Sequence, residues 1–144
     1  MGFLNGMNIS GSGLTAQRMR MDVIAENIAN VDTTRGPDGG PYTRKYVVLE
    51  ERNGSFAEVM KNSLTGSAEG GVRVAEIGAD TAPYQLVYDP NHPDANEDGY
   101  VELPNVDITQ EMVDMISAYR SYEANVTAFN AYKDMAVKAL EIGR

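Results

Sequence analysis

Cysteine and tryptophan are absent from the 144 residues, and histidine occurs once, at His92. Without cysteine there is no disulfide framework, thiolate zinc site, iron–sulfur cluster or cysteine nucleophile, and a lone histidine cannot build a multi-histidine metal centre. Basic residues are also scarce: 12 Lys and Arg stand against 21 Asp and Glu, a formal net charge of -9. Binding to nucleic acid or to an anionic membrane surface rests on a concentrated basic patch, and with none in the sequence neither is an expected partner. Long apolar runs are missing too. No stretch approaches the roughly 20 apolar residues of a membrane span, so direct membrane insertion is not expected. Met1-Gly-Phe-Leu-Asn-Gly-Met-Asn8 has neither a basic n-region nor a signal-length apolar run, and Gly6 stands where a myristoylation motif wants Ser or Thr. These signs give a cytoplasmic default, which fails if the chain leaves the cell by a route without signal cleavage.

What is present suffices for one domain of ordinary size, with 42% hydrophobic residues, and is too little for a large enzyme. Charge divides it in three: residues 1–31 sum to 0 (two basic, two acidic), 32–106 to -7 (six against thirteen) and 107–144 to -2 (four against six). The middle is therefore the most solvated part. Leu14, Met21, Ile24, Ile28 and Val31 fall at seven- and three/four-residue spacings, a heptad-like helix face. Its start is expected between Asn8 and Ser12, because each glycine of Ser10-Gly11-Ser12-Gly13 costs about 1 kcal/mol relative to alanine in a helix interior. Asn30, Asp32 and the run Thr33 to Pro37 are turn-formers and end it near Val31.

The second helix has the stronger signal. Asp107 can cap it, and Gln110 stands at capping-box spacing to reach back to the Asp107 N–H. Ile108, Met112, Met115, Tyr119, Tyr122, Val126, Phe129, Lys133, Ala136 and Leu140 then step by alternating four and three, with no Pro or Gly from 108 to 142. Such a helix is ~52 Å long. The shorter N-terminal stripe cannot cover it, and Val113, Ile116, Ala118, Tyr132, Val137 and Ala139 widen its apolar face beyond a two-stranded seam, so part of that face needs another chain. Tyr119, Tyr122, Phe129 and Tyr132 follow the same stripe, which reads as a packing face rather than a base-stacking platform. Asn27, Asn30, Asn125 and Asn130 are amides near the helical seams, of the kind that fix register.

Between the helices, Tyr42–Glu51, Val72–Ile77, Tyr84–Tyr88 and Tyr100–Leu103 read as short strands of an antiparallel β region, divided by Gly-Pro, Gly-Gly, Asp-Pro and Asp-Gly turn signals. A flexible insert near 53–69 carries capping-box spacing at Ser55–Glu58 and a helical face of Phe56, Val59, Met60 and Leu64, which suggests a short helix. Asp94-Ala-Asn-Glu-Asp-Gly99 matches the opening of a calcium EF-hand loop, but the twelfth position is Asn105 instead of Glu, and Pro90 and Pro93 forbid an entering helix. An Asx/Gly turn is the simpler reading; a calcium-responsive module stays as an alternative. His92 lies among prolines with no nucleophile or orienting carboxylate in pattern, and Gly36–Pro41 lacks the Lys and helix of a phosphate loop, so no enzyme activity and no cofactor are expected.

Leu14-Thr-Ala-Gln-Arg-Met-Arg-Met-Asp-Val-Ile-Ala-Glu-Asn-Ile-Ala-Asn-Val-Asp-Thr-Thr34 resembles the N-terminal signature of the bacterial flagellar rod and hook proteins. Gly99-Tyr-Val-Glu-Leu-Pro-Asn-Val-Asp107, Glu111–Met115 and Ala118–Asn125 resemble their C-terminal signature, and Gly36–Tyr42, Leu86–Pro90 and the short chain point within the family to its proximal-rod members. The resemblance implies a non-enzymatic subunit of the basal-body rod, the drive shaft across the cell envelope (periplasm where an outer membrane exists), exported by the flagellar type III apparatus without signal cleavage. Its implied partners are copies of itself, other rod proteins and a membrane-ring or export-gate adaptor at the rod base. The fold expected is α+β: residues 1–31 as an N-terminal helical arm, 32–106 as the β-rich middle, and 107–144 as the long C-terminal helix, the two helices paired like a coiled coil. The expected assembly interface is Leu14, Met21, Ile24, Ile28, Val31, Met112, Met115, Tyr119, Tyr122, Val126, Phe129 and Leu140. A self-contained helical-hairpin adaptor that binds one partner without polymerising is the alternative.

Overall fold

A computed structural model describes residues 2–36, 39–52, 60 and 70–142. Two long helices, α1 (Gly2–Ala29) and α2 (Ile108–Ile142), enclose four short strands in the chain: β1 (Lys45–Glu51), β2 (Val72–Ala79), β3 (Gln85–Tyr88) and β4 (Tyr100–Leu103). The fold class is α+β. The bounds of α2 agree with the periodicity, and Asp107 caps it: its Oδ1 accepts from the Thr109 N–H at 2.8 Å and the Gln110 N–H at 3.4 Å. The other half of the expected capping box is missing, because the Gln110 side-chain amide turns forward to the Asp114 carboxylate at 3.3 Å.

The first helix departs from expectation at both ends. It begins at Gly2 and runs through Ser10-Gly11-Ser12-Gly13 without a break. Tertiary packing outweighs the glycine penalty there, because two of its glycines are where α2 comes closest. A Cβ on Gly6 would lie 2.5 Å from the Tyr132 ring, and one on Gly13 would lie 3.0 Å from the Asn125 amide. At the other end α1 stops at Ala29, so Val31 sits in the following turn, which the Asn30 amide closes by donating to the Glu26 carbonyl and accepting from the Thr33 hydroxyl.

Close approaches of Gly6 to Tyr132, Gly13 to Asn125 and Asn27 to Glu111 pair the helices antiparallel, since the numbers rise on one and fall on the other. The core lies along this seam and at its base: Ala16, Val23, Ile24 and Ala118 are buried between the helices, and Val101, Pro104 and Val106 lie buried where β4 leads into α2.

β1 and β2 form one antiparallel ladder, from Lys45↔Ala79 to Glu51↔Val72, with an irregularity between Val48 and Leu49; β3 and β4 form a second, from Gln85↔Leu103 to Tyr88↔Tyr100. β1 starts at Lys45 instead of Tyr42, because the Tyr42 N–H donates to the Thr33 carbonyl and residues 42–44 are committed to the helix junction. α1 packs on both strands of the first ladder, whereas β3 and β4, among the described elements, pack only on each other. The start of β2 is tied to α1 by Ser12, whose hydroxyl donates to the Ile9 carbonyl and accepts from the Val72 N–H at 3.0 Å. Gly71, at φ +138°, has no room for a Cβ, which would fall 2.7 Å from that hydroxyl. The short helix expected over Ser55–Leu64 and the insert around it lie, Met60 apart, outside the described residues.

Candidate assembly surface and the junction that orients it

Where the exit of α1, the entry of α2 and the start of β1 converge, the interior is polar. Asn27 and Glu111 are both fully buried, and the Asn27 amide donates to the Glu111 Oε2 at 3.1 Å and to the Lys45 carbonyl at 2.8 Å. Its Oδ1 accepts from the Tyr42 hydroxyl and the Lys45 N–H, both at 2.9 Å. Both donors and both acceptor positions of the amide are therefore used, the condition under which a buried amide stabilises a unique arrangement. Glu111 Oε1 accepts from Arg44 Nε at 2.6 Å, and that guanidinium also reaches Asp80 at 3.3 Å and Asp114 at 4.0 Å. Arg20 on α1 meets the same Asp114 at 3.4 Å. Asn105, just before α2, accepts from the Arg44 N–H at 2.8 Å and donates to the Ala82 carbonyl at 3.0 Å. The network thus ties both helices, β1 and the end of β2 to one another.

The ionisable groups carry its mark. Burial first, then the charges of Glu26 and Glu111, push the Tyr42 phenol up to about 12. Burial works against the Arg44 charge, but the hydrogen bond and charge of Glu111, followed by those of Asp80, hold its pKa above the ordinary arginine value. Asp80 is held below the usual carboxylate range by the Ala82 N–H and, against a smaller desolvation effect, by Arg44.

The expected interface residues divide between two faces. Ile24 is buried, and Leu14, Met21, Ile28, Met115, Tyr122, Val126 and Phe129 are half-buried along the pairing of α1 with α2 or on its flanks. Val31 is half-buried in the turn. Met112, Tyr119 and Leu140 are exposed, joined on the open side of α2 by Ile108, Val113, Ile116 and Val137. On a 100° wheel, Ile108, Met112, Ile116 and Tyr119 form one apolar ridge outside the seam, and Val137 returns to its line only beyond the polar Glu123 and Asn130. An open cavity of about 720 Å³ lies along it against Met115, Ile116, Tyr119, Arg120 and Glu123. The expected register amides also divide: Asn27 locks the junction, Asn30 closes a turn, Asn125 donates to the Ser121 carbonyl in its own helix, and Asn130 is exposed.

Asp94 of the EF-hand-like loop is turned to Arg35, with which it pairs, and to the Thr34 hydroxyl at 2.9 Å; the Asn96 Oδ1 accepts from the Asp98 and Tyr100 N–H groups. That is the geometry of an Asx turn. Among the described residues no group of three or more His, Cys, Asp or Glu side chains is placed to hold a metal ion. Nor is any described helix long and apolar enough to cross a membrane.

Two family models match the chain: the flagella basal body rod protein over residues 7–37, and the C-terminal part of the flagellar basal body rod FlgEFG proteins over residues 97–142. The chain is 51% identical to the flagellar basal-body rod protein FlgC of Bacillus subtilis strain 168, over 97% of both chains. Its identity to the FlgC of Borreliella burgdorferi is 49%, over 99% of this chain and 98% of the other, and to that of Escherichia coli O157:H7 46%, over the whole of both. The chain belongs to the FlgC family of flagellar basal-body rod proteins. In this family member, one matched segment holds Asn27 and the other holds Asn105 and Glu111, so the two sequence signatures meet in space at the buried Asn27–Glu111 contact.

The helical ridges were visible as periodicity. Arg44 and Glu111 show no partner in the sequence, where each is a polar residue in an otherwise apolar pattern, and Asn105 shows there only as the residue that fails the calcium loop; the one signal is that Asn105 and Glu111 fall within the C-terminal signature.

Proposed function

We propose that this chain is a structural, non-enzymatic subunit of the bacterial flagellar basal-body rod, in its proximal part, and that its terminal helices build the drive shaft that transmits torque across the envelope. The observation that carries this reading is the apolar ridge of Ile108, Met112, Ile116 and Tyr119, left uncovered beside the face of α2 that α1 has taken. Monomeric proteins seldom leave a continuous apolar stripe open along a helix. Each leucine-sized side chain buried by a neighbour contributes about 1.5–3 kcal/mol, so a few such contacts per subunit offset the cost of ordering it in a tube. The partners on this reading are copies of the chain, other rod proteins and an adaptor at the rod base, reached after export through the flagellar type III apparatus without signal cleavage. Its place is the envelope-spanning part of the basal body, in the periplasm where there is an outer membrane. Nothing in the geometry favours the non-polymerising adaptor or the calcium module.

Aspartate at Met115 or Tyr122 would strike the contact between α1 and α2 as well as any neighbour, so the discriminating substitutions lie on the ridge. Met112→Asp and Tyr119→Asp are expected to leave the isolated chain's unfolding free energy within about 0.5 kcal/mol of the parent. In the flagellated host they should abolish motility and remove the chain from isolated basal bodies. Normal swimming with both substitutions present would overturn the assignment of this face.

A further inference from the structure

The hairpin of β3 and β4 presents a second uncovered surface, away from the α2 ridge. Tyr88 pairs directly with Tyr100 and Leu86 with Glu102. Side chains opposite each other, and those two apart along a strand, point to the same side, so these four share one face. Leu86 and Tyr88 are 63% and 64% exposed, Tyr100 is 43% exposed, and the two tyrosine rings meet edge to face at 5.3 Å. The face continues into a cleft of about 520 Å³ between the hairpin and residues 34–35 and 39–41, lined by Tyr100 and Glu102 together with Arg35, Asp94 and Asn96. Arg35 is neutralised by Asp94, whereas Glu102 enters no ion pair among the described residues. In the connection between the two strands Asp89, Glu97 and Asp98 are exposed, and from residue 74 to 119 the chain has ten carboxylates and no Lys or Arg.

We propose that this face and its cleft are a docking site for a protein segment in which arginine or lysine alternates with aliphatic side chains. The aliphatic groups cover Leu86 and Tyr88, and a guanidinium or ammonium entering the cleft lies over the Tyr100 ring and against Glu102. A purely apolar partner would strip water from Glu102 without replacing it, and an acidic partner would add repulsion. The site is separate from the helices, so it stands or falls independently of rod assembly.

The test is an NMR titration of the isotope-labelled full chain with acetyl-Arg-Leu-Arg-Leu-Arg-amide, compared with the peptide in which Glu replaces Arg. The basic peptide is expected to give saturable shifts confined to residues 85–103 and 34–41, weakened roughly tenfold by either Glu102→Gln or Leu86→Ser, while the acidic peptide gives none. Both substitutions are at exposed positions of a hairpin that packs on no other element, and a melting curve checks each. Shifts spread equally over the carboxylates of α2, or an affinity unchanged in both variants, would overturn the proposal. Saturation of the same residues by an N-acetylglucosamine trimer with no response to the basic peptide would reassign the cleft to a saccharide and also overturn it.

Discussion

Asn27 shows how much one buried amide can decide. Its donors face the Glu111 carboxylate and the Lys45 carbonyl, and its oxygen faces the Tyr42 hydroxyl and the Lys45 N–H. Asn27→Asp keeps the shape but sets a carboxylate where the NH2 group stood, 3.1 Å from Glu111 and with no water to screen it. A loss of about 3 kcal/mol or more in urea unfolding at pH 7 is expected, with partial recovery in acid as the new carboxyl takes up a proton and can donate again. Tyr42 supplies a second, alkaline test. Its pKa is raised to about 12 in the folded chain, by burial first and then by Glu26 and Glu111, against 10.0 for an ordinary tyrosine phenol. The stability that this shift contributes is fully present below about pH 10, where both states hold the proton, and is lost between about pH 10 and 12, where the unfolded chain ionises and the folded one does not. The unfolding free energy measured from pH 8 to 12 should therefore fall more steeply in the parent than in Tyr42→Phe. Equal slopes would mean that the phenol is no more buried than it is in the unfolded chain.

At the scale of elements, the helices pair through small residues. Gly11 and Gly6 lie in the same helix with opposite surroundings: a Cβ at Gly11 meets nothing within 4 Å, whereas at Gly6 it runs into the Tyr132 ring. Gly11→Ala is expected to raise stability by up to about 1 kcal/mol through helix propensity alone. Gly6→Ala should lower it by about 1–3 kcal/mol because the ring must leave its place. Thermal melts of the two single variants check both signs. The same contrast explains what the sequence could disclose. α2 was legible end to end, because large apolar residues step by four and three behind an aspartate cap and nothing interrupts them. The N-terminal half of α1 was not, because Gly, Asn and Ser recur there and carry little hydrophobic signal, and the need for glycine at Gly6 and Gly13 shows only in the Tyr132 and Asn125 side chains opposite. Asn27 could be recognised as a seam amide, but its bond to a glutamate 84 residues away depends on the hairpin topology, which no local spacing encodes. Arg44 likewise looks like a strand residue until β1 is found to start one residue later.

For the molecule as a whole, the two ends of the helical hairpin are unequal. At the junction, Ala118, Val23 and Ile24 are buried and the Asn27–Glu111–Arg44 network closes the base. At the far end, Met135, Val137 and Leu140 are 52%, 49% and 76% exposed, and α2 is seven residues longer than α1. Amide protection follows the free energy of local opening, which rises with buried apolar contact and satisfied interior hydrogen bonds. In the dilute chain, protection is therefore expected to be strongest over residues 16–28 and 111–126 and to fall away towards 133–142. Assembly changes only the second region if the open ridge and far end are what neighbours cover. Hydrogen exchange of the chain within isolated rods should then show protection extending to residue 142, with the junction little altered. Uniform protection of α2 in a confirmed monomer would show that the hairpin needs no neighbour to hold its far end, and would favour a self-contained adaptor. Uniformly fast exchange in both helices would show instead that the buried junction is too weak to hold the hairpin, so that the helices order only on assembly.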